Sequence, residues 1–208
     1  MTTHGTEADR PRGRGRRPGG PDTRAGIIEA ARGEFAAKGY DKASLRGIAR
    51  QAGVDPALVH HYFEGKPQLF AQTLDIPVNP HDIIDTIIAG DPTQLGRRII
   101  TTFLTVWDPP ERRQTFVALT RSSMTTDEAA RVLREFLARE VFGRIARQTG
   151  IADPEVRAAL AASQVLGMAV MRYILKVPAL VEASNEEIVE RLAPILQTHL
   201  VDNPVDEP

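Results

Sequence analysis

The chain has 208 residues, 42% of them hydrophobic and 25% charged, which is enough to bury one or two cores. It contains no cysteine, so disulfides and thiolate metal sites are excluded and a reducing, cytoplasmic compartment is the natural expectation. The formal net charge of −1 hides a division: up to Lys66 there are 12 Lys+Arg against 8 Asp+Glu, and beyond it 14 against 19, so a basic front precedes an acidic remainder.

The N-terminus is polar and then arginine-rich, with no apolar stretch behind it, which is not the pattern of a signal peptide. Arg10 to Arg17 holds five arginines, Arg14, Arg16 and Arg17 among them, and nothing apolar enough to pack. Residues 1–21 are therefore expected to be a disordered basic arm. Such an arm can follow the phosphates of a nucleic acid; its alternative use is as a solubilising tail.

The stretch from Ser44 to Lys66 is the most informative. Ser44 is a good N-cap, and Leu45, Ile48, Ala49 and Ala52 recur behind it at helical spacing. Gly53 favours the left-handed conformation that ends helices, and Asp55 followed by Pro56 restarts one with a carboxylate cap and a proline at the first helical position. Two helices joined by so short a glycine turn form a helix-turn-helix, whose second helix enters the major groove. On that second helix Val59, Tyr62 and Phe63 fall on one arc and Ala57, His60 and His61 on the other, so the first set is expected in the core and the second in the groove.

With these residues in place, the segment from about Asp22 to Leu74 resembles the DNA-binding domain of the TetR family of transcriptional regulators. The resemblance is carried by the helix Thr23 to Tyr40, by Ser44 with Ile48-Ala49, by Ala52-Gly53-Val54, and by His60-His-Tyr-Phe63 with Lys66 and Leu69-Phe70. The family usually has tyrosine at the position of His60, histidine at that of Tyr62, and a glutamate or similar long residue at that of Gly47. The resemblance implies that Ser44 and Lys66 bond phosphates, that Arg46 reaches a phosphate or a base edge, and that Ala57, Leu58, His60 and His61 face the groove, with Tyr62 a phosphate partner. Backbone contacts of this kind orient the protein, and groove-facing side chains carry the sequence information.

Beyond Leu74 the chain is expected to remain helical, with breaks at Asn79-Pro80, Asp91-Pro92, Asp108-Pro-Pro110, Thr126-Asp127, Asp153-Pro154 and Ser184-Asn185. The expected architecture is all-α: a three-helix helix-turn-helix domain at 22–66 and a helical effector-binding and dimerisation domain at 67–203. The segment from Asp153 is rich in small residues, chiefly alanine, and together with the last segment it offers broad apolar surfaces. The resemblance implies that these two helices pair with their symmetry mates in a homodimer, for which Leu160, Gly167, Ile188, Leu192 and Ile195 are the candidate contacts. Two heads related by a two-fold axis imply a palindromic double-stranded DNA operator.

The resemblance also implies a cavity for a small-molecule effector, with Phe103, Trp107, Phe116, Met124, Met168 and Met171 as candidate liners. Arg172 stands among apolar neighbours and could pair an anionic ligand, pair an acid across a dimer, or extend its head to water. The implied function is repression released by the effector; activation and corepressor dependence use the same linkage, and a helical interaction module without DNA binding is the alternative class.

An enzyme is not expected, because no Gly-x-Ser-x-Gly, phosphate loop or nucleophilic cysteine is present. Neither a metal nor a cofactor is expected: His60 and His61 point about 100° apart on a helix, unlike an i, i+4 zinc pair. No membrane partner is expected either, since the longest apolar stretch, Ala158 to Met171, is broken by Ser163 and Gln164.

Overall fold

In a computed structural model, residues 21–76, 78–149 and 153–201 are described, and they are helical with no strand among them. Arg14, Arg16 and Arg17, and with them the expected basic arm, lie outside the described residues.

The first four helices are α1 (Pro21–Lys42), α2 (Leu45–Ala52), α3 (Pro56–Tyr62) and α4 (Lys66–Thr73). Their starts follow local chemistry. The Ser44 hydroxyl accepts from the Gly47 amide at 3.1 Å, and the Asp55 carboxylate accepts from the Ala57 amide at 2.8 Å. Gly53 closes α2 at φ 66°, where a side chain would be strained. Gly39, at φ 80°, interrupts α1, and a Cβ there would run into Arg131 and Glu135.

Asn79 and Asp91 accept amide bonds in the same way at the starts of α5 (Pro80–Ile88) and of a single 3₁₀ turn (Pro92–Gln94) leading into α6 (Leu95–Trp107). Then come α7 (Pro110–Thr125), α8 (Asp127–Phe136), a π-helical turn (Leu137–Phe142), α9 (Gly143–Thr149) and α10 (Pro154–Ala169). A second π-helical turn (Val170–Ile174), α11 (Pro178–Glu182) and α12 (Asn185–Leu200) complete the order. Neither π turn was expected from the sequence.

Two large apolar clusters form. One gathers Ile27, Phe35, Tyr40, Ile48, Val59, Phe63, Leu69 and Phe70 with Val132 and Phe136 from α8. Its centre is aromatic: Tyr40 and Phe136 meet edge-on at 5.4 Å, and Phe70 lies 5.1 Å from Tyr40. The other gathers Ile84, Leu95, Ile100, Leu104, Ile145, Val165, Met168, Ile188, Leu196 and Leu200. Here α6 and α12 cross closely enough that a Cβ on Gly96 would strike the backbone of Ala193 and Gln197. Val141, in the first π turn, packs against both clusters. Among the described residues, no helix is long and apolar enough to cross a membrane.

Candidate nucleic-acid interface

The two arcs of α3 are separated as the sequence pattern predicts. Val59 and Phe63 are 0% and 2% exposed, Tyr62 is half-buried, and Ala57, His60 and His61 are exposed beside the partly exposed Leu58. Burial of Val59 and Phe63 fixes the helix by its apolar edge, leaving the other edge bare at the surface. Arg46 is exposed on α2 and makes no hydrogen bond or ion pair among the described residues, so its five N–H donors are uncommitted. Ser44 is exposed too. Its oxygen accepts from Gly47, while its hydroxyl proton remains free to donate outward.

Two features of this surface escaped the sequence reading. Glu34 on α1 is 6% exposed, donates nothing, and accepts from Lys38 Nζ at 2.6 Å; its carboxylate lies against Gly47. Lys66, at the start of α4, has partners within the chain. Its ammonium donates to the carbonyls of Tyr40 at 2.9 Å, Ala43 at 3.2 Å and Asp41 at 3.4 Å, and sits 4.5 Å above the Tyr40 ring. Burial holds its pKa below the ordinary lysine value, and the nearby Arg139 charge acts in the same direction. The Tyr40 hydroxyl donates to Glu140 at 2.9 Å, and burial, then the Glu140 charge, push its pKa up.

The candidate effector residues are only partly brought together. Phe116 is the hub of a small cluster in which Phe103, Trp107 and Tyr173 approach its ring edge at 5.8, 5.5 and 5.8 Å. Met168 belongs instead to the large body core, and Met124 and Met171 are 70% and 43% exposed. Arg172 is already satisfied within the chain: it donates to the carbonyls of Leu180 and Ala183 and to Asn185 Oδ1, and its Nε lies 3.5 Å from Asp108. Arg172 lies in the second π turn and faces the link between α11 and α12.

Beside this cluster stand two residues that sequence reasoning passed over. Asp108, read only as a helix break, accepts from the Tyr173 hydroxyl at 3.2 Å, from Asn185 at 3.2 Å and from Arg113 at 3.3 Å. Burial, with the Asp108 charge next, raises the Tyr173 pKa. The Arg113 guanidinium lies 5.2 Å from the centre of the Tyr173 ring, and its buried Nε has no hydrogen-bond partner among the described residues.

The candidate dimer residues divide as well. Leu160 and Ile195 are both 46% exposed, and Gly167 is exposed with open space where a Cβ would stand. Val156, Leu160, Gly167 and Met171 recur at helical spacing as an exposed, mostly apolar stripe along α10 and into the second π turn, and Ile195 is exposed on α12. Ile188 is a correction: at 5% exposure it is part of the chain's own core, and Leu192 packs partly against the same core. Among the described residues no group of three or more His, Asp or Glu is placed to hold a metal ion.

A capped helix, a glycine turn and a second helix presenting its polar edge define a helix-turn-helix DNA-binding protein. Comparison with known proteins is in agreement. The family model described as "Bacterial regulatory proteins, tetR family" matches residues 27–73, and that described as "Tetracyclin repressor-like, C-terminal domain" matches residues 93–200. The chain belongs to the TetR family of DNA-binding transcriptional regulators.

Among relatives, the HTH-type transcriptional regulator BetI of Brucella abortus (strain 2308) is 34% identical over 104 residues, covering 42% of this chain and 52% of that protein. The chain thus spans about half the length of that relative. BetI of Agrobacterium fabrum is 26% identical over 176 residues, 82% of this chain and 85% of the relative. A TetR-family regulator of Streptomyces coelicolor A3 with a solved structure is 32% identical, covers 90% of this chain and 99% of its own, and has a TM-score of 0.47.

Proposed function

We propose that the chain acts as a homodimeric repressor that binds a palindromic operator and is released by a small-molecule effector. In this reading residues 1–21 are a basic arm, 22–66 the DNA-binding head and 67–203 the effector-binding and dimerising body. The observation that carries it is the separation on α3, with His60 and His61 bare and Val59 and Phe63 buried. His60, His61, Ala57 and Leu58 read base edges, Ser44, Arg46 and Tyr62 engage phosphates or a guanine edge, and Arg14, Arg16 and Arg17 supply phosphate contacts from the arm.

The apolar stripe through Leu160 and Gly167, with Ile195 exposed on α12, supports two-fold pairing, because bare apolar surface gains by being covered. The partly buried Phe103 and Trp107 beside Phe116, with Asp108 and Arg113 next to Tyr173, support an effector site among α6, α7 and the second π turn. An effector that prefers the head spacing unable to span successive major grooves pulls the dimer off DNA, and a complete switch requires a preference of about 5.5 kcal/mol.

Gel shift on the DNA flanking the protein's own gene tests this function. A retarded band that His60→Ala, His61→Ala abolishes is expected; equal retardation of parent and variant on that DNA and on unrelated DNA refutes operator recognition.

A further inference from the structure

We infer that the effector is an organic anion, a carboxylate carried on an apolar or aromatic body, and that Arg113 is the residue that selects it. This rests on the reading of the Phe116 cluster as the effector site and names the chemistry that site accepts. Phe103 and Trp107 stand one turn apart on α6 and are only partly buried, so they keep ring surface for an apolar body, with Phe116 and Tyr173 packed behind them.

The charges beside these rings do not balance. Asp108 is spent: its Oδ1 accepts from the Tyr173 hydroxyl at 3.2 Å and from Arg113 at 3.3 Å and has Arg172 Nε at 3.5 Å, while its Oδ2 accepts from Asn185 at 3.2 Å. Two guanidinium groups thus face one carboxylate. Neither pairs with another acid among the described residues, so one positive charge is left over. A cation arriving here meets a saturated acid and two like charges, whereas an anion meets the surplus.

That surplus is available at Arg113 rather than at Arg172. Arg172 is largely buried and spends its Nη atoms on two backbone carbonyls and on Asn185. Arg113 is more open and uses Nη2 alone, which donates to the Asp108 carbonyl at 2.6 Å and to the carboxylate. Its Nη1 and Nε have no partner among the described residues, and Nε is closed to water as well. A buried donor without an acceptor carries a cost that a ligand carboxylate relieves by a charge-assisted bond. The Tyr173 ring, 5.2 Å away, holds the guanidinium beside the aromatic cluster.

Trp107 is the single tryptophan of the chain, so its fluorescence reports this site directly. Titrating the whole chain with phenylacetate, phenylacetamide and phenethylamine compares an anion, a neutral group and a cation on one ring. Phenylacetate is expected to bind at about millimolar strength, in keeping with its size, and about tenfold more tightly than the amide, with the amine weakest. An amide or amine that binds as tightly as phenylacetate overturns the inference and leaves the effector site standing. Silence from all three probes well above that concentration removes the site, and the inference with it.

Arg113→Gln should erase the preference for acid over amide while leaving amide binding unchanged, which a loss of structure would not do. Arg113→Lys should retain most of the preference, because it keeps the charge. A glutamine variant that is folded by circular dichroism and still prefers the acid about tenfold overturns the assignment to Arg113. The ranking of the three probes on the parent protein needs no variant to fold.

Discussion

The carboxylate of Glu34 occupies the space that a side chain on Gly47 would need. An acid on α1, buried and held by Lys38, thereby stands against α2 at its one glycine. The two positions are coupled. Gly47→Ala alone should destabilise the protein by roughly 1 kcal/mol, overpacking outweighing the helix-propensity gain. In a Glu34→Ala background the same change should stabilise by about 0.5 kcal/mol, because only the propensity gain is left. Urea unfolding of the four proteins checks the cycle, and a Gly47→Ala effect of the same sign in both backgrounds would contradict it.

Phenol ionisation gives a prediction about pH. Tyr40 and Tyr173 have folded-state pKa values raised above the ordinary value of 10.0, chiefly by burial and then by the carboxylates of Glu140 and Asp108. A raised folded-state value means that above pH 10.0 the unfolded chain releases protons the folded chain keeps, so the stabilisation is complete below that pH and is lost as pH rises beyond it. Stability should fall steadily above pH 10.0, and Tyr40→Phe with Tyr173→Phe should flatten the decline. Chemical denaturation across alkaline pH measures this; an equally steep decline in the double variant would count against it.

Base-reading and phosphate-binding residues should separate in their salt response. His60→Ala and His61→Ala are expected to lose about 1–3 kcal/mol on the operator for each base contact removed, with little loss on bulk DNA. Arg46→Met should weaken both, lowering the salt slope by about 0.9 if its partner is a phosphate. Phe63→Ala, on the buried edge of the same helix, should cost about 3–5 kcal/mol of fold stability and lose binding by unfolding. Affinity titrations over a salt series beside thermal melts distinguish the three behaviours.

Association of two copies should depend on exposed rather than buried residues. Leu160→Arg and Ile195→Glu are expected to leave a folded monomer in sedimentation equilibrium, since both positions are bare in the single chain. Ile188→Asp should unfold the chain instead, as it buries a charge in the core. A dimer that survives both surface changes would exclude the stripe as the interface.

Much of this architecture was legible because caps and breakers act locally. Ser44, Asp55, Asn79, Asp91 and Ser184 each accept an amide at the helix start that their spacing predicts. Asp153 and Thr126 also precede helices but make no such bond, Asp153 having turned to φ 47°. The π turns at Leu137–Phe142 and Val170–Ile174 were hidden because one extra residue per turn leaves no mark in composition. Ile188 was misplaced because α12 carries apolar residues around much of its circumference, and periodicity does not say which side faces the chain's own core. Glu34 against Gly47, Lys66 over Tyr40 and Arg113 over Tyr173 join distant parts of the sequence, which only packing brings together.

The continuous span from α8 through the first π turn to α9 sends Val132 and Phe136 into one apolar cluster and Ile145 into the other. Melting either cluster withdraws support from a rod that the other needs, so the chain has no comfortable half-folded form. Heated in a calorimeter, it should absorb its unfolding heat in one peak, the enthalpy from peak width agreeing with that from peak area.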